Sequence, residues 1–215
     1  MPRTPEANQR IRETQRAKIL ESARSVFARK GMEATIADIA AEAKISLGLA
    51  YRYFADKEAI FSELVKQSVP ADAPGIQELL EAPGTPGKRL AVLISGIIAA
   101  RRKRELLEFH QVLYHAFHAG AMPDDDVREL LGKRYQMLTN TIRQLIIEAQ
   151  ATGEVAPGDP DQLVAVVGAC LDGITRWAVQ DPEQFNIYVP DAEIFLRLLK
   201  LSIKEESRSE PPSME

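Results

Sequence analysis

Apolar side chains recur every three or four residues along most of the chain, and strict alternation of apolar and polar positions is absent. This spacing places apolar side chains on one face of a helix, so it predicts an all-α protein. The predicted helices, separated by glycine, proline and capping residues, cover about 11–30, 35–43, 46–53, 57–68, 88–101, 103–120, 125–152, 160–180 and 191–205.

Prolines and glycines are concentrated between positions 69 and 88, with at most one helical turn around 76–80. Such a density of helix-breaking residues marks a boundary. We therefore expect an N-terminal domain over residues 1–68 and a larger C-terminal helical domain over 69–204. The charged segment 205–215 is expected to be a disordered tail.

Charge divides the chain in the same place. The whole sequence carries a net charge of -4, which at face value argues against nucleic acid. Residues 1–68, however, hold 12 Lys and Arg against 9 Asp and Glu, so the remainder carries -7. A basic domain on an acidic body favours an anionic partner for the basic part alone, although a basic helix face that is merely solvated would give the same count.

Two short capped helices follow the first long basic helix. Thr35 and Asp38 have the spacing of a capping box, and Ser46 is a good N-cap for the next helix. Three helices in this order are the layout of a helix-turn-helix DNA-binding unit, whose last short helix enters the major groove. Helix pairs of this length are common, so the layout alone is a weak indication.

The residues themselves are more specific. The string GMEATIADIAAEAKISLGLAYRYFADKEAIF, from Gly31 to Phe61, resembles the N-terminal domain of the TetR family of transcriptional regulators. The resemblance extends over about residues 14–62. It implies a three-helix helix-turn-helix DNA-binding domain, followed by a helical bundle that binds a small molecule and forms a homodimer.

Several residues of this segment also have a physical reason to contact DNA. Tyrosine and threonine hydroxyls and the basic side chains reach phosphates, the Ser46 cap leaves helix N–H groups facing a phosphate, and Gly48 permits close backbone approach. Ile39, Ala40 and Phe54 instead have the spacing of core residues. The predicted DNA-binding residues are Thr35, Lys44, Ser46, Leu47, Gly48, Tyr51, Arg52, Tyr53 and Lys57.

The chain departs from the family pattern at three positions. Lys44 stands at the turn where the family usually has glycine, which costs on the order of 1 kcal/mol if the turn needs a positive φ. Leu47 and Leu49 replace residues that are usually polar. We expect Leu47 to contact a thymine methyl group in the major groove, whereas Leu49 either does the same or packs inward.

The C-terminal domain carries candidate ligand contacts. One helix face contains a histidine and a tyrosine, and such polar groups on an apolar face need partners, either within the core or in a bound molecule. The predicted ligand-binding residues are His110, Tyr114, Phe117, Cys170 and Trp177.

The predicted helix over 161–180 is apolar on almost every side, so it needs cover on every side. The resemblance implies that this helix and the one over 191–204 form a homodimer interface. A two-fold dimer would suit a palindromic operator. Core packing without dimerisation is the alternative.

Other sites and locations have little support in the sequence. His115 and His118 have no third metal ligand at a suitable spacing, and a single cysteine provides neither a disulfide nor a cysteine zinc cluster. No cofactor site and no catalytic group is indicated. We interpret Arg101–Arg104 as a solvated face or a link to acidic neighbours. The lack of about 18 consecutive apolar residues and the polar N-terminus predict a cytoplasmic protein without a membrane span or a signal peptide.

Together these features predict a ligand-responsive, homodimeric regulator that is not an enzyme. The family mechanism implies a repressor that leaves its double-stranded DNA operator when a small-molecule effector binds the C-terminal domain. The alternative is a regulator that is constitutive or controlled by a protein partner.

Overall fold

The computed structural model describes residues 4–69, 74–118, 120 and 124–200 of the chain. Within these ranges every regular element is helical, which confirms the all-α prediction. The helices are α1 (Pro5–Lys30), a 3-10 turn (Gly31–Glu33), α2 (Ile36–Glu42), α3 (Leu47–Tyr53), α4 (Lys57–Ser68), α5 (Pro74–Glu81), α6 (Pro86–Ala100), α7 (Arg104–His118), α8 (Asp125–Ala151), α9 (Pro160–Gln180), α10 (Pro182–Tyr188) and α11 (Ala192–Leu199). We call α1–α4 the head and α5–α11 the body.

Two helices begin where the sequence pattern did not predict a start. α1 begins at Pro5 rather than near residue 11, and α10 was not predicted at all. Both begin at a proline, whose missing N–H needs no partner in the first turn. The side chains of Thr4 and Asp181 cap them, accepting bonds from Ala7 N at 3.3 Å and from Gln184 N at 3.0 Å. The expected tail 205–215 and the end of the predicted dimer helix, 201–204, lie outside the described residues.

The head does not close its own hydrophobic core. Phe27 of α1 and Phe61 of α4 meet edge to face with ring centroids 5.9 Å apart, and both rings are fully buried. The same buried cluster continues into the body through residues of α7 and of the first turns of α8: Phe109, Val112, Ala116, Val127 and Leu131. The head therefore depends on two body helices for its cover.

A second core fills the body. It unites α6, α8, α9, α10 and α11, with Leu90, Ile94, Leu145, Ile146 and Phe185 among its fully buried side chains. The 27 residues of α8 extend about 40 Å, and its two ends belong to different cores. This single helix therefore connects the head core rigidly to the body core.

A polar junction lies beside the shared core. Glu108 of α7 accepts hydrogen bonds from Arg24 Nε at 3.1 Å and Ser25 Oγ at 3.2 Å in α1, and from Arg104 Nε at 2.9 Å. Burial by itself raises the pKa of Glu108, but the bonds from Arg104 and Arg24 outweigh it and leave that pKa lowered. The carboxylate is therefore charged at neutral pH and joins the head to α7. Arg104 accordingly links to an acidic neighbour, as one interpretation of the basic run expects.

α9 is incompletely covered within one copy of the chain. Val167, Leu171, Ile174 and Ala178 face the body core, whereas Val166 is 54% exposed. By length and composition alone, α9 is also apolar enough to cross a membrane, although only 22% of its most apolar 18-residue stretch is buried. Asp172 and Arg176 interrupt the apolar sequence of this helix.

We expect Glu108→Gln to lower the free energy of unfolding by about 1–3 kcal/mol at neutral pH, because the half-buried Arg24 loses its charged acceptor. The measurement is urea unfolding of both proteins across pH. Since the pKa of Glu108 is lowered in the folded state, the contribution of Glu108 to the free energy of unfolding is complete at neutral pH. This contribution disappears as the pH falls through the lowered pKa.

Glu105→Gln is the matched control, because it removes the same charge from an exposed position on the same helix. It should change stability by less than about 0.5 kcal/mol. Equal effects of the two substitutions would contradict a specific junction at Glu108.

Candidate functional site

The turn between α2 and α3 is a Schellman motif. Ile45 N donates to Ala40 O at 3.0 Å and Lys44 N donates to Ala41 O at 3.1 Å, the two bonds that define this helix end. Lys44 occupies the left-handed position with φ 53°, and it is the single non-glycine residue with positive φ among those described. The turn therefore does need a positive φ at position 44, which is the condition under which lysine is costly there. Lys44 is exposed to solvent.

α3 presents a distinct outer surface. Ser46 caps it by accepting a bond from Leu49 N at 3.2 Å, as predicted. Ala50 and Phe54 are buried and hold the helix on the head core. The outward residues are Leu47, Gly48, Tyr51 and Arg52, of which Leu47 is 45% and Tyr51 54% exposed. Leu49 and Tyr53 are half-buried on the side that faces α1.

Gly48 has no structural reason to be glycine within the chain. A Cβ atom built there would meet nothing within 4 Å, and its φ is not in the left-handed region. No other described part of the protein backbone approaches Gly48 closely enough to require glycine there. The chain itself therefore leaves room for a side chain at this position.

Two of the predicted DNA contacts already have partners within the chain. Thr35 Oγ1 donates to Asp38 Oδ2 at 2.8 Å and accepts from Asp38 N at 3.2 Å, which completes the predicted capping box. Lys57 Nζ donates to the carbonyl of Met32 at 2.5 Å and so ties the start of α4 to the 3-10 turn. Thr35 has no hydroxyl proton left for a phosphate in this arrangement, whereas the ammonium of Lys57 keeps two further donors.

A groove of about 890 Å³ lies between the first turns of α1 and α3, which is the recognition helix of the helix-turn-helix layout. This groove was not predicted. Its α3 wall contains Leu49, Arg52 and Tyr53, and its α1 wall contains Asn8, Gln9, Ile11, Arg12, Glu13, Gln15 and Arg16. Arg16 is held by Glu63 and lies 4.7 Å from the centre of the Phe54 ring, whereas Arg12 has no described ion-pair partner. The excess of basic residues before position 30 was the available signal for this wall.

A second concavity, of about 600 Å³, lies between α7 and α9. It is lined by Tyr114 from α7 and by Ala169, Asp172, Gly173, Thr175, Arg176, Val179 and Gln180 from α9. Of the predicted ligand contacts, the structure brings Tyr114 to this cleft and His110 beside it. Cys170 and Trp177 instead pack against the body core, where the Trp177 ring meets Phe185 edge to face. The side chain of Phe117 lies outside the described part of the chain.

Arg101 turns inward from the basic run and lies beside the cleft. Its Nε donates to Thr175 Oγ1 at 2.9 Å, and its Nη1 lies 3.5 Å from His110 Nδ1. Burial lowers the pKa of Arg101 to about 10, while the charge of Asp172 raises it. Burial and then the charge of Arg101 lower the pKa of His110 to about 4, against a bond to Leu106 O that raises it. His110 is therefore neutral at physiological pH.

The metal site considered at His115 and His118 has no support among the described side chains, and the side chain of His118 lies outside them. His115 packs against the head, where a Cβ atom built on Gly31 would lie 3.4 Å from it. Within the part of the chain that the structure describes, no three His, Cys, Asp or Glu side chains are grouped so that they would hold a metal ion.

Comparison with known proteins assigns both halves of the chain. Residues 19–64 match the family model described as bacterial regulatory proteins, tetR family, and residues 110–188 match the C-terminal model of BetI-type transcriptional repressors. The chain belongs to the TetR family. The head match contains the helix-turn-helix, so this TetR-family protein is a DNA-binding transcriptional regulator.

Individual TetR-family relatives are distant. The HTH-type transcriptional regulator BetI of Brucella canis is 25% identical over 165 residues, which cover 74% of this chain and 77% of the relative. A structure from Saccharomonospora viridis in complex with choline has a TM-score of 0.64 and 21% identity, covering 87% of this chain and 94% of that one. The regulator FadR of Bacillus subtilis in complex with stearoyl-CoA has a TM-score of 0.58 and 20% identity, covering 87% and 98%. Both structures share the fold.

We expect Gly48→Ala to stabilise the protein and weaken its DNA binding. Alanine favours helix over glycine by up to about 1 kcal/mol, and nothing in the chain opposes the new methyl group. A DNA backbone close to α3 would meet it, so operator affinity should fall roughly tenfold or more, equivalent to about 1.4 kcal/mol. Thermal unfolding and a gel-shift assay on an operator selected from random DNA measure the two effects.

Gly132→Ala in α8 is the control, because Gly132 also lies inside a helix with no atom within 4 Å of a built Cβ. It should stabilise the protein comparably without changing affinity. Undiminished DNA binding by Gly48→Ala would remove Gly48 from the DNA interface.

We also expect Arg12→Ala to reduce the salt dependence of DNA binding. If Arg12 contacts one phosphate in the groove between α1 and α3, removal of that contact reduces the magnitude of the slope of log affinity against log salt by about 0.9. Arg10→Ala changes the same charge at an exposed α1 position that does not line this groove, and should leave most of the slope intact. Equal slopes for the two variants would place the groove away from the DNA.

Proposed function

We propose that this protein is a homodimeric repressor that leaves a palindromic operator when a small molecule enters the cleft between α7 and α9. The observation that carries the proposal is the double role of α7. One side of this helix completes the head core through Phe109, Val112 and Ala116, and another side presents Tyr114 to the cleft. A ligand that shifts α7 must therefore also disturb the packing of the head against α7.

The coupling has a definite energetic requirement. A ligand moves the head only by binding one arrangement of α7 more tightly than the other. A hundredfold release from DNA asks for roughly 2.7 kcal/mol of such preference. Displacement of α7 would act on the hydrophobic contacts with α1 and on the bonds from Arg24 and Ser25 to Glu108. Ligand binding by the choline and stearoyl-CoA complexes of the same fold supports a ligand-responsive body.

The dimer is supported by apolar surface that one copy leaves uncovered. Val166 on α9 and Leu198 on α11 are each more than half exposed, and Ile194 on α11 is 45% exposed. Large exposed aliphatic side chains on two helices that share one core are surface that a protein–protein interface would cover. A second copy related by a two-fold axis would cover α9 and α11 and place two recognition helices on the two halves of a palindrome.

We expect Val166→Asp to dissociate the dimer and to weaken operator binding. Burial of an unpaired carboxylate in an apolar interface costs at least about 2 kcal/mol, so the dimer dissociation constant should rise roughly 30-fold or more. Analytical ultracentrifugation measures the assembly, and a gel-shift assay with a full and a half operator measures the loss of paired recognition.

Val92→Asp is the matched control, because Val92 is an equally apolar exposed residue on α6. It should remain dimeric and bind the full operator. A dimer that tolerates Val166→Asp but dissociates with Val92→Asp would place the interface on α6 and contradict the proposed one.

A further inference from the structure

The Arg101 guanidinium is charged and partly buried, and no carboxylate of the described residues contacts it. Within the described residues its one short hydrogen bond is the donation from Nε to Thr175 Oγ1, and no carboxylate oxygen lies within 4.0 Å of it. Asp172 is close enough to act through its charge but does not touch it. The terminal amino groups of Arg101 thus lack the anionic partner that a buried cation ordinarily has, and such an unpaired cation is costly.

His110 does not supply that partner. Its Nδ1 lies 2.6 Å from the carbonyl oxygen of Leu106, and a carbonyl can only accept, so Nδ1 carries the proton of the neutral ring. The 3.5 Å approach of Arg101 Nη1 to the same Nδ1 therefore brings two donors together and is not a hydrogen bond. Both terminal amino groups of Arg101 stay available to an acceptor from outside the chain.

The position of Arg101 relates it to the cleft between α7 and α9. Its hydrogen-bond partner Thr175 and its charge neighbour Asp172 both line this cleft, and His110 lies one turn before Tyr114 on α7. Arg176 is the cation among the lining residues, so together with Arg101 beside the cleft and with Asp172 the three charged groups sum to +1. The remaining wall is contributed by Ala169, Gly173 and Val179, which are small or apolar, and by the polar Gln180.

We infer that the cleft takes a carboxylate ligand with an apolar body, whose carboxylate is bound by the terminal amino groups of Arg101. A guanidinium presents two parallel N–H groups that match the two oxygens of a carboxylate, which makes arginine the preferred partner for this group. The apolar body lies against Tyr114 and Val179. The inference rests on the proposed function only in making this ligand the effector.

The test compares octanoate, octan-1-ol and octylamine, which share a chain and differ in the head group. We expect octanoate to raise the melting temperature of the full-length dimer and the other two compounds to leave it nearly unchanged. Arg101→Gln should weaken octanoate binding by about tenfold or more in calorimetry, because a hydrogen bond to a charged group is lost. Arg102→Gln, the exposed neighbour, should bind octanoate normally.

Two further measurements separate a binding role of Arg101 from a structural one. The unliganded Arg101→Gln protein should be at least as stable as the wild type, because it no longer holds an unmatched cation. Octanoate should raise the pKa of His110, followed by NMR, because the carboxylate offsets the charge of Arg101 that lowers it.

Equal stabilisation by octanol would show that the apolar chain alone is recognised, and stabilisation by octylamine alone would make Asp172 the anchor. Either result overturns the inference, as does an Arg101→Gln protein that is destabilised and binds octanoate unchanged. Octanoate that binds through Arg101 yet leaves operator binding unaltered would uphold the carboxylate site and contradict ligand-controlled release, so the two proposals fail separately.

Discussion

The head cannot bury its hydrophobic face without the body. Phe27 and Phe61 need the cover that Phe109, Val112 and Ala116 of α7 provide, and about 25 cal/mol is gained per Å² of apolar surface removed from water. The position of the head is therefore set by the packing of α1 and the 3-10 turn against α7, and α3 is held within the head by α2. A shift of α7 would therefore act on the head through this shared core.

Charged groups also hold the head and the body together at their border. The basic excess lies in the head, while the net charge of the whole chain is negative. At the border, the carboxylate of Glu108 satisfies Arg24 from the head and Arg104 from the body at once. A buried carboxylate with charged donors is costly to separate, because each group would be left without its partner. A shift of α7 away from α1 would therefore have to break the bonds that Arg24 and Ser25 donate to Glu108.

The sequence was informative where local chemistry decides structure, and silent where distant residues meet. Thr35, Asp38 and Ser46 cap their helices as their spacing predicted, because capping involves residues three positions apart. Pro182 begins a helix, although proline was interpreted only as a separator. The basic run at 101–104 was treated as one unit, yet its first member reaches α9 and its last pairs with Glu108. No periodicity within one helix shows which partner a long side chain finds on another.

The same limit applies to Lys44 and Gly48, which break local rules on opposite grounds. A left-handed turn position favours glycine, but it holds lysine; a helical position favours almost any other residue, but it holds glycine. Lys44→Gly and Gly48→Ala would each be locally favourable, since each residue is locally unfavourable where it stands. Both lie on the exposed side of the helix-turn-helix, where nothing inside the chain compensates them. Local rules that fail on an exposed surface are typical of a binding site, and a cation and a missing side chain are both features that suit the approach of a DNA backbone.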